Sequence, residues 1–312
     1  MNVRTSRWIR GILSLIVVLL LADVIASFYF YHVAIKRSPK DFLADDPDLE
    51  QLADSNRSNW MNSQPLRQLS IQSHDGLTLS GYYIEAVAPT NKTAIIAHGY
   101  SGKAADMDAF AKFYHDGLGF NVLLPDARGH GKSEGDYIGF GWPERKDYLQ
   151  WIQRMIEIVG PDAAIALHGV SMGGATVSMT SGEMLPGNVK AIVSDCAYTS
   201  AKDELSYQLM RLYHLPDFPI LPSTSLLTKV RAGYFFGEAS AIEQVRRTAM
   251  PMLFIHGKAD AFVPFDMAYR LYEAAAGDKE LYVVPGAGHG MSRRVDPVGY
   301  ESAVAAFLAK HM

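Results

Sequence analysis

The sequence has a single cysteine, Cys196, among 312 residues, so no internal disulfide can form and no oxidised framework is encoded. Stability comes from packing. It also lacks the C-x-x-C pairs and the H-E-x-x-H pattern that hold zinc, and its Gly and Pro are spread along the chain instead of gathered in low-complexity runs. Charge of one sign is missing too: 29 Lys and Arg against 33 Asp and Glu leave a formal net charge of -4, which gives no basic field to concentrate nucleic acid. No cofactor, no metal and no nucleic-acid partner are therefore expected. What remains is an ordinary globular composition, 48% apolar and 20% charged, for a chain able to bury a substantial core.

One long apolar run is present, close to the first residue. GILSLIVVLLLADVIASFYFYHVAI, residues 11–35, is apolar for about 25 residues, where a hydrocarbon layer needs about 20. Only Asp23 interrupts it strongly, at about 2.5 to 3.5 kcal/mol near the bilayer centre, and the surrounding Leu, Ile and Val outweigh that. Phe28, Tyr29, Phe30 and Tyr31 form an aromatic group where the segment leaves the hydrocarbon. Arg4, Arg7 and Arg10 precede the run and Lys36, Arg37 and Lys40 follow it, so counting positive charges does not decide the orientation. The expectation is a single-pass anchor in the cell membrane, with the basic stretch 1–10 inside and the rest of the chain extracytoplasmic. A cleaved signal is the alternative, with Val24-Ile25-Ala26 before Ser27 as the cut site. Residues 36–65, polar and acidic with Pro39, Pro47 and Pro65, are expected to be a tether or a loosely packed helix lying over the domain.

From residue 66 to 312 the pattern is that of one α/β domain. Leu66 to Ile71 and Leu77 to Ile84 flank the turn signal Ser73-His74-Asp75-Gly76 and predict an antiparallel hairpin. Short apolar runs then alternate with helical stretches: Ala94 to Ala97, Asn121 to Leu124, Ala163 to Leu167, Ala191 to Ser194, Met252 to Ile255 and Leu281 to Val284. Runs so short and so continuously apolar fit parallel strands covered on both faces. Helices are expected over Ala105 to His115, Trp142 to Val159, Met172 to Met184, Phe265 to Ala275 and Val298 to Ala309. The interval from about 197 to 250 is too long for one crossover helix and is rich in large apolar residues, which predicts a helical lid insertion.

The chemistry-bearing residues fall on the turns. Gly169-Val170-Ser171-Met172-Gly173 is a G-x-S-x-G on a predicted strand-to-helix turn, where the helix N-terminus favours a developing anion. Ser171 is the expected nucleophile. Its hydroxyl needs a base, and His289, in the glycine-flanked loop Pro285 to Gly290 after the last strand, is in position to supply it. The imidazole needs a carboxylate to fix its tautomer. Asp260, in His256-Gly257-Lys258-Ala259-Asp260, is the candidate, and Asp195, ending the preceding strand, is its rival. His98, His130, His168 and His256 read as structural hydrogen-bonding residues, and Asp126 as the residue that fixes the loop 125–133. The oxyanion donors are expected to be the backbone N–H of Met172 and that of Tyr100, the latter in His98-Gly99-Tyr100-Ser101-Gly102. Arg293 and Arg294 just past His289 read as solvated loop residues, or as attractors of an acidic group.

With HGYSG at 98–102, DARGHGKS at 126–133, GVSMGG at 169–174, HGKADAFVP at 256–264 and GAGH at 286–289, the region 66–312 resembles the α/β-hydrolase superfamily. In particular it resembles the serine aminopeptidase and monoacylglycerol lipase-like branch, which includes membrane-anchored bacterial hydrolases. The resemblance implies the α/β-hydrolase fold and acyl transfer to water through an acyl-enzyme, with Ser171, Asp260 and His289 matching the triad residue by residue. A carboxylesterase acting on small or medium acyl esters is expected. Peptidase or amidase action, and a catalytically silent binding module, are the competing readings. The substrate is a small-molecule ester or a peptide, and the oligomeric state is left open.

Overall fold

The alternating apolar runs fold, in a computed structural model that describes residues 3–43, 46 and 59–312, into a single eight-stranded sheet. Its strands are β1 (Arg67–Gln72), β2 (Thr78–Ile84), β3 (Lys92–Ala97), β4 (Asn121–Pro125), β5 (Ala164–Val170), β6 (Val189–Asp195), β7 (Met252–Gly257) and β8 (Lys279–Val284). They lie in the order β1-β2-β4-β3-β5-β6-β7-β8. β1 and β2 are antiparallel, β2 runs antiparallel to β4, and every pairing from β4 to β8 is parallel. The expected antiparallel start and parallel continuation are both present.

β4, β5 and β7 are buried along their whole length, because helices cover both faces of the sheet. The period of two then sorts the core into layers. Ile95, Leu123 and Leu167 pack on one face, while Ala94, Val122 and Ala166 pack on the other. The helices are α1 (Val3–Phe30), α2 (Asp108–Lys112), α3 (Glu144–Val159), α4 (Met172–Thr180), α5 (Ala201–Tyr213), α6 (Ile220–Ala232), α7 (Ala241–Val245), α8 (Phe265–Ala274), α9 (Ser292–Val295) and α10 (Pro297–His311). α3 turns Tyr148, Trp151, Ile152 and Met155 inward at helical spacing. α4 ends at Thr180, short of the expected Met184. The Thr176 and Thr180 hydroxyls there bond back to carbonyls four residues earlier, at 2.7 and 2.8 Å, a habit that weakens a helix.

Between β6 and β7 the chain forms α5, α6 and α7 instead of one crossover. The Ser200 hydroxyl caps α5 by accepting from the Asp203 amide at 3.0 Å, and α5 stops at His214 in the left-handed region.

α1 is long and apolar enough to cross a membrane, and its apolar side chains are largely exposed up to its last turns. Beyond them the chain docks. Tyr31 and Ile35 are buried, Lys36 pairs with Tyr137, and Ile138 N–H donates to the Ile35 carbonyl at 2.7 Å. The Arg37 guanidinium donates to the carbonyls of Ser133, Gly135 and Gly131 at 2.9, 3.3 and 2.9 Å. The stretch 36–65, expected as a tether, is packed where it is described: Leu43 and Met61 are buried, and the Met61 amide donates to Asp108 at 2.6 Å. Residues 47–58, Pro47 among them, lie outside the described residues, as do residues 1 and 2 of the basic stretch.

Arg128 joins three parts of this frame. Its fully buried guanidinium donates to both oxygens of Asp147 on α3, at 2.7 and 2.6 Å, and to both of Asp75 in the β1–β2 turn, at 2.7 and 3.1 Å. Truncating it strands the buried Asp147 carboxylate without a partner. Arg128→Ala is therefore expected to lower stability by about 3–5 kcal/mol, read from denaturant midpoints, and a loss under about 1 kcal/mol would remove this residue from the account.

Candidate active site

The carboxyl ends of β3, β5, β6, β7 and β8 lie side by side, so the loops that follow them converge on one edge. Gly169 pairs with Ala97, Val170 with Asp195, Asp195 with Ile255 and Gly257 with Val284. Ser171 sits at the centre, between the end of β5 and the start of α4, at φ 58° and ψ -120°. That backbone costs a residue with a side chain about 1–3 kcal/mol and persists only when its surroundings enforce it. Here the Ser171 amide donates to the Asp195 carbonyl at 2.9 Å, and its own carbonyl accepts from Ala175 at 2.9 Å. Gly169 and Gly173 make the turn possible: a Cβ on the first would run into the Gly173 carbonyl, and one on the second into the Ala97 carbonyl.

The three residues expected to act together are brought together. His289 Nε2 lies 2.8 Å from Ser171 Oγ, and His289 Nδ1 lies 2.8 Å from Asp260 Oδ2. A carboxylate only accepts, so Nδ1 carries the proton and Nε2 is left as the acceptor facing the hydroxyl. Asp260 is itself held, because its Oδ1 accepts from the amides of Phe262 and Val263 at 2.9 and 2.8 Å. His256 Nε2 approaches its Oδ2 at 3.1 Å and the Val263 carbonyl at 2.8 Å. Burial raises the Asp260 carboxyl, but the His289 and His256 imidazoles lower it by more, and the net position is well below the usual range. Burial likewise lowers His289, while the Asp260 carboxylate lifts it by more, for a net rise above the ordinary value.

Asp195, the rival, points elsewhere. Its Oδ2 accepts from the Tyr300 hydroxyl at 2.9 Å, and burial pushes its carboxyl up to about 6. The remaining histidines are tied into the frame as expected. His98 accepts from the Ala127 amide at 3.0 Å, His168 lies between the hydroxyls of Tyr114 and Tyr300 at 2.9 and 3.1 Å, and His130 Nε2 holds the Tyr100 carbonyl at 2.6 Å. Asp126 fixes its loop by accepting from Ala104 and Lys132 at 2.8 and 2.8 Å. Arg293 donates to Glu301 at 2.6 Å. Gly99 lies against the serine, where an added Cβ would stand 3.5 Å from Ser171 Cβ. The amide of Tyr100 follows directly. Met172 is the first residue of α4, a position whose amide has no acceptor one turn back in the helix.

A largely apolar pocket leads away from Ser171. Its walls come from α5 and α6, with Leu209 and Leu221, from Phe262, and from the N-terminal segment, with Phe30, Ala34 and Leu43. The last group was invisible in the sequence, because nothing in an apolar span announces that its end lines a site. The Tyr100 hydroxyl donates to the Ala34 carbonyl at 2.5 Å, joining that segment to the loop beside the serine. Glu204 of α5 is the second surprise. It lines the same pocket, its Oε1 accepts from Gln208 at 2.8 Å, and its buried Oε2 has no partner among the described residues. Cys196 is the third: its thiol lies within 4.8 Å of ligand atoms of Asp260 and His289. Those two are already bonded to each other, and in a second acidic group Asp75 and Asp147 are both taken by Arg128.

The known proteins that this chain is similar to agree with the topology. The pattern of the alpha/beta hydrolase family matches residues 94–301. The chain belongs to the α/β-hydrolase family. It is 32% identical to the Bacillus subtilis protein YqkD over 238 residues, covering 76% of this chain and 77% of that one. Among solved structures, the Pyrococcus furiosus esterase Pf2001 superposes with a TM-score of 0.66 at 23% identity, over 82% of this chain and 96% of that one. The Pyrococcus horikoshii acylaminoacyl peptidase superposes at 0.58 with 17% identity, over 78% of this hydrolase and 40% of the peptidase. At such identities the two superpositions speak for the fold alone.

Burial pushes the Glu204 carboxyl up to about 7 from an ordinary value of 4.5. Between those two values the folded chain holds a proton that the unfolded chain has lost, so stability falls as pH rises through that window. Glu204→Gln keeps the acceptor for Gln208 and removes the charge. The variant is expected to match wild type near about pH 4 and to exceed it by about 1–3 kcal/mol near about pH 8, as read by urea unfolding across pH. A gap that does not change with pH would contradict this.

Proposed function

We propose that this hydrolase is a membrane-anchored serine carboxylesterase that cleaves small or medium acyl esters through an acyl-enzyme. The observation that carries the reading is the unbroken row from Asp260 through His289 to Ser171, each link 2.8 Å. Ser171 Oγ attacks the ester carbonyl carbon while His289 Nε2 takes its proton, and the carbonyl π electrons move onto oxygen. Asp260 holds the proton on Nδ1 and stabilises the imidazolium. The amides of Met172 and Tyr100 receive the oxyanion, aided by the N-terminus of α4. Collapse of the intermediate expels the alcohol, which takes the proton from His289. A water, deprotonated by the same imidazole, then releases the acid and frees Ser171. The apolar pocket supports an acyl group as the part of the substrate held there.

The segment 11–35, most of it in α1, is read as the anchor, with the hydrolase domain outside the cytoplasm; the length of α1 and its exposed apolar surface support this. Protease added to intact cells is expected to digest the domain, and a protected domain would reverse the orientation.

Wild type is expected to react with a fluorophosphonate and Ser171→Ala to remain unlabelled; equal labelling of both would sink the reading. On p-nitrophenyl esters, Ser171→Ala and His289→Ala are each expected to lose about 10³-fold or more in kcat/KM. Asp260→Asn should also be severe, and a larger loss in Asp195→Asn would reassign the acid. Activity needs neutral His289, so kcat/KM rises with pH. Because Asp260 lifts His289, the midpoint is expected above the ordinary histidine value, and Asp260→Asn should move the midpoint of its residual activity downward.

A further inference from the structure

α1 and α6 run side by side over the last turns of the apolar span. At one end the Ser223 hydroxyl donates to Asp23 Oδ2 at 2.6 Å. At the other, the Arg231 guanidinium lies 5.4 Å from the Phe28 ring and 5.5 Å from the Tyr31 ring. The two helices therefore advance in the same direction, with Asp23 and Ser223 level. At 1.5 Å per residue, Asp23 lies about 7.5 Å from Phe28 and about 12 Å from Tyr31 along the axis. If that aromatic group marks the membrane interface, Ser223 lies at the same depth inside the hydrocarbon.

The side chains near Ser223 suit that depth. Phe218 to Thr228 contains no charged residue, and the first cations beyond it, Lys229 and Arg231, fall level with the aromatic group. Large apolar side chains here are exposed: Phe218 at 78%, Leu226 at 58% and Val230 at 78%. Leu226 and Val230, spaced i and i+4, share one helical face, which stays exposed beside the edge where Ser223 meets α1. Asp23 also gains an explanation. A carboxylate is costly in an apolar span, and the hydroxyl of Ser223 offsets part of that cost at Oδ2, while Oδ1 is buried without a partner among the described residues.

We propose that α6 is set into the bilayer leaflet beside α1, and that the Ser171 pocket, whose wall these two helices share, takes acyl esters dissolved in that leaflet. The occupant of the exposed α6 face is lipid. The inference rests on the reading of α1 as an anchor and of Ser171 as the nucleophile, and it adds where the substrate comes from.

The test uses the full-length chain in phosphatidylcholine vesicles. A polarity-sensitive NBD label is placed on Leu226→Cys, or on Val87→Cys at the opposite edge of the sheet; the native Cys196 is buried. A lipid carrying a doxyl quencher high in its acyl chain is expected to quench the label at 226 and not at 87, and aqueous iodide to do the reverse. Iodide access at 226 overturns the proposal. So does a label there shielded from both quenchers, which would mean protein covers the face. A second arm compares a vesicle-embedded acyl ester with soluble p-nitrophenyl acetate. Leu226→Glu with Val230→Glu is expected to lower the embedded reaction about tenfold or more and to leave the soluble one unchanged. Equal effects on both esters overturn it. A wild type that cleaves neither ester overturns the esterase reading instead, and the quenching arm then decides the placement of α6 by itself.

Discussion

The turn at Ser171 is the constraint on which the rest of the site depends. A side chain can be held at φ 58° only if strand and helix meet without room to relax, and the bare backbones of Gly169 and Gly173 allow that approach. The same closeness hands the Ser171 amide to the Asp195 carbonyl, which seats β6 beside β5. Once β6 is seated, β7 and β8 follow in register, and their end loops deliver Asp260 and His289 to the hydroxyl. The strain at one residue and the sheet order are one arrangement seen at two scales.

Electrostatics at this edge are arranged by layers. Asp260 is stabilised as an anion by two amides and two imidazoles, and a charge held so firmly keeps the His289 ring in one tautomer and one orientation. Asp195, close by but bonded to Tyr300, is pushed the opposite way by burial. Two carboxylates with similar positions in the sequence are thus shifted in opposite directions, one lowered by its imidazole partners and the other raised by burial. Glu204, with one oxygen unpartnered among the described residues, completes the contrast within a largely apolar pocket.

Much of this was legible before any coordinates. The strands were readable because covered parallel strands are short continuous apolar runs, and the turn residues because a strained nucleophile needs glycine on both sides. Asp260 was preferred to Asp195 in the sequence on position alone, one standing in the loop after a strand and the other at a strand end; the direction of each side chain separates them. The ends of α4 were blurred by hydroxyls that bond back to the helix. Least legible was the N-terminal segment. Hydropathy describes 11–35 as something that lipid covers, and it carries no signal that Phe30, Ala34 and Leu43 wall a pocket or that Tyr100 reaches back to Ala34. Cys196 was equally silent, as its part is to stand beside other side chains.

That junction bears on modularity. Anchors joined to enzymes by loose linkers are interchangeable parts, and one can be swapped for another. Here the carbonyl of Ala34 is a ligand of the loop beside Ser171, and Arg37 holds three carbonyls of the loop that contains His130. A foreign apolar helix grafted ahead of residue 38 would lack the Arg37 guanidinium and the buried side chains that set the Ala34 carbonyl beneath Tyr100, so the graft point compatible with an intact pocket lies within α1, upstream of Asp23, and not after it.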